Sequence, residues 1–301
     1  VRILITGATG LVGREIVKLC HYEGIKVNYL TTAKAKLSYQ DNYKGFYWNP
    51  SANEIDTTCF EGVEAIINLV GASISKRWTD SYKTEILESR TQTAQLLKTT
   101  IDKHKFAVKQ IISASAIGIY PSSLVNYYEE DTVEKATSFL GQVVERWEAA
   151  VDAFTQSDIT VCKIRIGLVL SDNGGALPEI VRPIKFGVGA AFGSGEQWQS
   201  WIHITDLARL FIFALKENLE GVYNGVAPNP VSNTELTKAA AKILSKPLIV
   251  PNIPKFIMEL LLGKMHMLLF ESQRVSSQKI ENKGFDFNYV HLEPALQEVL
   301  N

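Results

Sequence analysis

The sequence predicts an α/β chain: a doubly wound parallel sheet with a small, mainly helical C-terminal lobe. Three observations predict it. Short apolar runs alternate with amphipathic runs through the first half, a glycine-rich turn follows the first apolar run at once, and the texture becomes loop-rich and then helical beyond about residue 170.

Strands are expected at Arg2–Thr6, Val27–Leu30, Ala65–Val70, Gln110–Ser113 and Thr160–Arg165, each a short apolar or β-branched run. Helices are expected between them. Leu11–His21 places Val12, Ile16, Leu19 and Cys20 on one face and is followed by Gly24; Thr79–Ile101 and Ser138–Phe154 are longer examples. Gly174, Gly175, Gly187, Gly189, Gly193 and Gly195 then punctuate a loop-rich stretch of the kind that builds an active-site mouth. Alternation returns with Trp201-Ile202-His203 and a helix over Asp206–Asn218 capped by Thr205. After Val222-Tyr223-Asn224 comes a helical tail, opened by a capping box at Ser232–Glu235, with Pro254 suited to the first turn of a later helix. These changes divide the chain into a sheet domain (1–170 with 200–226) and a substrate-side lobe with C-terminal domain (171–199 and 227–301).

Composition narrows the class. With 301 residues, 46% hydrophobic and 21% charged, the chain fits one large globular domain with an appended lobe. A net charge of −1 gives no electrostatic reason to expect nucleic acid or an anionic membrane as partner. The apolar stretch Phe256–Phe270 is interrupted by Glu259, Lys264 and His266 and is too short to span a bilayer. Cys20, Cys59 and Cys162 are widely spaced and read as buried free thiols, which suits a reducing compartment. The first strand starts almost at once with no secretory signal before it, so a cytoplasmic location is expected. No His, Cys, Asp or Glu cluster has metal-ligand spacing, and oligomerisation is not indicated.

The turn Gly7-Ala8-Thr9-Gly10-Leu11-Val12-Gly13 carries the first chemistry. A first glycine lets the chain turn out of the strand, a second lets backbone approach a diphosphate, and a third lets helix and strand pack closely. The helix N-terminus then offers free N–H groups and a positive dipole end to an anion. Directly after a strand and before an amphipathic helix, this pattern predicts a Rossmann-type dinucleotide site at Gly7, Thr9, Gly10, Leu11, Val12 and Gly13.

An NAD-binding version places an acidic residue at the end of the second strand, about twenty residues on, to bind the adenosine ribose. Here that place reads Tyr29-Leu30-Thr31-Thr32-Ala33-Lys34-Ala35-Lys36, with no carboxylate before Asp41. Thr32 and Lys34 are therefore the candidate neighbours of a 2′-phosphate, and NADP(H) is favoured over NAD(H). Leu69, Val70, Gly71, Ser113, Ala114, Ser115 and Gly167, at later strand ends, are expected at the nicotinamide end.

The Thr-Gly-x-x-Gly-x-x-Gly spacing resembles the extended short-chain dehydrogenase/reductases. Further segments resemble its atypical "epimerase family protein" branch: Ile67-Asn68-Leu69-Val70-Gly71, Lys76-Arg77-Trp78, Glu88-Ser89-Arg90, Arg165–Leu170 with Gly174–Leu177, Gly193-Ser194-Gly195, Trp201-Ile202-His203-Ile204-x-Asp206 and Asn224-x-x-Ala227-Pro228. The tail from about Pro251 to Leu300 is similar to that branch's small C-terminal domain of unassigned role. The branch often carries an Arg near the end of the second strand, a place that Thr32 takes here.

The resemblance implies a Ser after the central strand and a Tyr and a Lys four residues apart on the next helix: the Tyr passes the proton and the Lys lowers its pKa. Ser115 matches the first role. The helix expected to supply the others reads Ser138-Phe-Leu-Gly-Gln-Val-Val-Glu-Arg-Trp-Glu148 and contains neither. Tyr120 is a candidate substitute proton donor, with Arg165 or Lys163 as the cation that would help it, or else an aromatic lining the cleft; His203, beside Asp206, is a further titratable candidate. The leading expectation is an NADP(H)-binding oxidoreductase-like protein with an unidentified small-molecule substrate. A non-catalytic NADP(H)-sensing module acting through a partner, and a nucleotide-sugar epimerase, stay open as alternatives.

Overall fold

The computed structural model describes residues 1–301. Its first strand, β1 (Arg2–Thr6), runs into the glycine turn and then α1 (Leu11–Tyr22). There follow β2 (Lys26–Thr31), β3 (Tyr43–Asn49), β4 (Val63–Asn68), α2 (Asp80–His104), β5 (Gln110–Ala116), α3 (Phe139–Asp152) and β6 (Thr160–Ile166). The remaining main elements are β7 (Leu168–Leu170), α4 (Leu177–Lys185), β8 (Trp201–His203), α5 (Ile204–Lys216), β9 (Gly221–Gly225), α6 (Asn233–Ile243), α7 (Lys255–Leu262) and α8 (Leu292–Leu300).

Seven parallel strands form the body of one sheet in the order β9-β6-β5-β4-β1-β2-β3, with the short segments Tyr39–Gln40 and Glu54–Ile55 antiparallel to β3. Helix α1 packs with α5 on one face and α2 with α3 on the other, so the sheet is doubly wound as expected. Strand order reverses at β1, which opens a crevice at its carboxyl end, where such sheets bind ligands.

The apolar runs become the core. Ile3, Leu4, Ile5, Ile66, Ile67, Ile111, Ile112 and Ile164 are fully buried between the two helical layers. A second apolar cluster joins Leu177, Val181 and Ile184 of α4, Leu236 and Ala240 of α6, and Leu292 and Leu296 of α8 around Trp201. The C-terminal segment also returns to the first core through Ile280 and Phe285. All three cysteines are buried free thiols, as expected, and burial pushes Cys20 and Cys162 up to about 12. No helix is long and apolar enough to cross a membrane.

Several boundaries differ from the sequence reading. Strand β3 was not expected: its run Tyr43-Lys-Gly-Phe-Tyr-Trp-Asn49 has no clean alternation, and a short 3-10 turn over Lys34–Lys36, not a helix, leads towards it. Strand β9 takes in the Val222-Tyr223-Asn224 run and closes the other edge. Helix α5 starts at Ile204, not Asp206, and its cap is His203 rather than Thr205: the Thr205 N–H donates to His203 Nδ1 at 3.2 Å. Pro254 caps α7 from outside the first turn, whereas the Ser232–Glu235 capping box is present as expected.

Candidate functional site

The glycine turn is held in the expected shape for reasons that the backbone makes plain. Gly7 adopts φ +74°, where an L side chain is strained. A Cβ on Gly13 would lie 2.2 Å from the Gly7 carbonyl oxygen, so α1 can sit this close to the turn only without one. A Cβ on Gly10 would approach the same oxygen at 3.2 Å. Gly10 is the N-cap of α1 and brings no side-chain acceptor, and no acidic residue lies in the first turn. The first-turn amides, with Leu11 and Val12 among them, are thus left to an outside anion.

Beside the turn, three strands share a polar rung. Thr6, Asn68 and Ser113 are in register across β1, β4 and β5. The Thr6 hydroxyl donates to Asn68 Oδ1 at 2.7 Å, and Asn68 Nδ2 donates to the Ser113 hydroxyl at 3.1 Å. Thr6 Oγ1 also accepts from the Leu69 N–H at 3.1 Å. This rung positions the loop Leu69–Gly71 over the crevice. Thr6 and Asn68 were missed as site residues, although each is a polar residue closing a run of three apolar ones.

Thr32 and Lys34 lie at the carboxyl end of β2, both exposed. Lys34 Nζ sits 5.0 Å from the Tyr47 ring centroid. Asp41, the first carboxylate after β2, bonds Lys26 at the opposite end of the strand and offers no substitute for the missing ribose acceptor.

On the far side of the crevice, at the carboxyl ends of β5 and β6, lies a cavity of about 210 Å³. Ala116, Ile166 and Gly167 border it, and α3 presents Leu140, Val143, Val144 and Trp147 to it. The pairs four residues apart on this helix face, Leu140 with Val144 and Val143 with Trp147, are therefore apolar or indole. No tyrosine–lysine dyad faces the cavity. Gly167 has a packing reason of its own, since its Cβ would fall 2.2 Å from the Ser200 carbonyl oxygen.

The two expected proton donors lie in one buried hydrogen-bond network. The Ser115 hydroxyl, 3% exposed, donates to Glu148 Oε1 at 2.6 Å. Glu148 also takes a bidentate pair from Arg165, with Nε at 2.8 Å and Nη2 at 3.0 Å. Arg165 Nη1 donates to the Tyr120 hydroxyl at 2.9 Å, and that hydroxyl donates onward to Asn224 Oδ1 at 2.8 Å. Tyr120 is 1% exposed; burial outweighs the Arg165 charge and pushes its phenol up to about 12. Glu148 moves the other way: its burial opposes ionisation, but Arg165, Ser115 and Lys163 hold its carboxyl below the usual range. Both hydroxyls expected to act on substrate are thus spent inside a buried network that ties β5, β6 and β9 to α3.

Arg165 is the cation beside Tyr120, as one sequence option had it; Lys163 instead pairs with Asp152 at 2.6 Å. His203 is no acid–base group aimed at the crevice. Its Nε2 meets Glu298 at 2.8 Å and its ring stacks on Tyr289. Asp206, fully buried, accepts from the Asn288 and Tyr289 N–H groups at 3.0 and 2.9 Å. The Trp-Ile-His-x-x-Asp segment therefore fastens the C-terminal domain to α5.

Residues 3–225 match the model of the NAD dependent epimerase/dehydratase family, and residues 253–299 match a domain of unknown function. An epimerase family protein of Staphylococcus haemolyticus is 34% identical over 306 residues, covering 100% of this chain and 99% of that protein. A human epimerase family protein, solved with NADPH, superposes with a TM-score of 0.84 at 26% identity, covering 99% of both chains. A nucleoside-diphosphate sugar epimerase of Corynebacterium glutamicum gives 0.79 at 27% identity, covering 99% of this chain and 58% of that one.

Proposed function

The chain belongs to the NAD dependent epimerase/dehydratase family, in its "epimerase family protein" branch, and from that premise we propose that it is an oxidoreductase-like protein binding NADP(H) in preference to NAD(H). The observation that carries the cofactor reading is the turn Gly7–Gly13, whose tight backbone leaves no room for a Cβ on Gly13 and leaves the α1 amides uncapped. The residues fit a dinucleotide diphosphate there. The phosphate preference rests on Thr32 and Lys34 at a strand end without a carboxylate, and the human relative solved with NADPH supports it.

When bound, the dinucleotide supplies or accepts a hydride at its nicotinamide ring. The chain's own part is to hold the diphosphate on α1, to support the nicotinamide end with Leu69–Gly71 and Ser113–Ser115, and to keep water out with the apolar face of α3. Hydride transfer with purified protein, NADPH and a broad panel of small carbonyl compounds tests this reading. Oxidation of NADPH dependent on one compound supports it; silence across the panel, with NADPH bound, counts against it.

That second outcome favours a non-catalytic module that senses the NADPH/NADP ratio. The observation behind this alternative is the wall of Leu140, Val143 and Val144, which offers no proton to a reacting oxygen. An ordinary nucleotide-sugar epimerase is the weakest reading, because the phenol and ammonium that chemistry uses are absent from α3.

A further inference from the structure

Glu271 stands between two cavities. The inner one is the 210 Å³ space under the apolar face of α3; the outer one, of about 450 Å³, lies beside Pro121, Ser138 and Met267. Glu271 is the one residue that borders both. It is half-buried, and Arg90 and Glu271 are the only charged residues lining the inner cavity.

The chain fixes this residue from both sides. After the short helical turn Met267–Phe270, the Glu271 N–H donates to the Met267 carbonyl at 2.9 Å. The next two residues are buried and tied down: the Ser272 hydroxyl donates to the Ser123 carbonyl at 2.8 Å, and the Gln273 carbonyl accepts from the Ser200 hydroxyl at 2.9 Å. The Glu271 carboxyl itself accepts from Gln273 Nε2 at 3.4 Å. Burial raises it above the ordinary 4.5, with bonds from Gln273 and Ser138 opposing that rise.

The other polar groups around it are engaged or of the wrong kind. Across the inner cavity, Arg90 donates to the Ile86 and Ala72 carbonyls and, lowered by burial to about 10, stays a cation at neutral pH. The Ser200 hydroxyl also accepts from the Val275 N–H, and the Trp198 indole donates to the Leu124 carbonyl. On the outer side stand Glu134, Lys255 and Lys135, the last paired with Glu145 at 2.8 Å. A carboxyl in this place can pass a proton to a molecule in the inner cavity and recover one from water in the outer.

We propose that Glu271 is the general acid–base residue of the inner cavity: protonated, it donates to the oxygen of a bound aldehyde or ketone, and as carboxylate it accepts the proton of the corresponding alcohol. In the reducing direction a C–H bond forms at the carbonyl carbon with a hydride from a dihydronicotinamide, the C=O π pair passes to the oxygen, and a new O–H bond forms as the Glu271 O–H breaks. The products are an alcohol, an oxidised nicotinamide and the Glu271 carboxylate, which is reprotonated by water from the outer cavity. The proposal rests on the oxidoreductase reading and supplies the proton that α3 lacks.

The probe is acetophenone with ¹³C at its carbonyl, followed by difference infrared spectroscopy on the full chain without NADPH. A saturable bound C=O band is expected, low in frequency while Glu271 is protonated and rising in one step, at a pH above 4.5, as it ionises. In Glu271→Gln the bound band should not move with pH. A second measurement needs no variant: in the chain carrying ¹³C-labelled glutamate, one carboxyl resonance should titrate with the midpoint of the band, and acetophenone should raise that midpoint, since a ligand that accepts from the acid favours its protonated form. Any panel compound that oxidises NADPH should also lose about 100-fold or more in kcat in Glu271→Gln. A band that stays put across the range, a step that survives in Glu271→Gln, full turnover in that variant, or no saturable band at all overturns the proposal. Titration of the same sample with NADPH keeps the two readings apart. NADPH binding with a pH-insensitive band sinks only the role of Glu271, and a pH-sensitive band without NADPH binding sinks only the dinucleotide reading.

Discussion

The Ser115 hydroxyl lies 2.6 Å from the Glu148 carboxylate, on the helix whose cavity-facing residues take the place of a catalytic tyrosine and lysine. Because Glu148 is also bridged twice by Arg165, and Arg165 reaches Tyr120, a polar girder fills the position of an acid–base relay. It engages both hydroxyls inside the inner wall of the crevice.

Tyr120→Phe should then behave as a stability variant. It leaves Arg165 Nη1 and Asn224 Oδ1 each short of a partner, at a cost of about 1–3 kcal/mol. Urea unfolding should show that loss, while NADPH affinity stays unchanged in Tyr120→Phe. Loss of hydride transfer with stability intact would restore a catalytic role to the altered hydroxyl.

Glu148 makes stability depend on acid. Its carboxyl ionises more readily folded than unfolded, so its contribution is complete above the ordinary value of 4.5 and is lost as pH falls through its lower folded value. Urea midpoints should therefore drop below about pH 4.5, and Glu148→Gln should lower stability at neutral pH and flatten that acid limb. Since the change leaves Arg165 buried without its counter-charge, the neutral-pH loss should reach about 3 kcal/mol or more.

Gly13→Ala should damage both fold and binding. A methyl 2.2 Å from the Gly7 carbonyl must push α1 off the turn, costing about 1–3 kcal/mol by thermal unfolding and withdrawing the amides from the diphosphate. A variant that binds NADPH normally would show that the spacing is not what holds the cofactor.

Asp206→Asn removes one acceptor oxygen from the clamp on Asn288 and Tyr289 and weakens the tie to Arg209. The expected outcome is selective release of the C-terminal domain, seen as new proteolytic cleavage near residues 285–291 while the sheet domain stays resistant.

The glycine turn was legible because its constraints are local: Gly7 needs a positive φ, and Gly13 must clear the backbone of Gly7 and Ala8. Period two placed Lys163 and Arg165 on one face of a strand but gave no means of saying what they faced. Glu148 escaped notice because its partners Ser115 and Arg165 lie 33 and 17 residues away on other elements, and only the packing of α3 on the sheet joins them. Strand β3 was hidden by its irregular pattern, and the Thr6–Asn68–Ser113 rung by needing the register of three strands.

The most direct test is a calorimetric titration of cofactor-stripped protein with NADPH and then NADH, repeated on Lys34→Glu. The account predicts tight NADPH binding, much weaker NADH binding, and a narrowing or reversal of that difference in the variant. Binding of neither dinucleotide to the unaltered protein would contradict it and reduce the glycine turn to architecture.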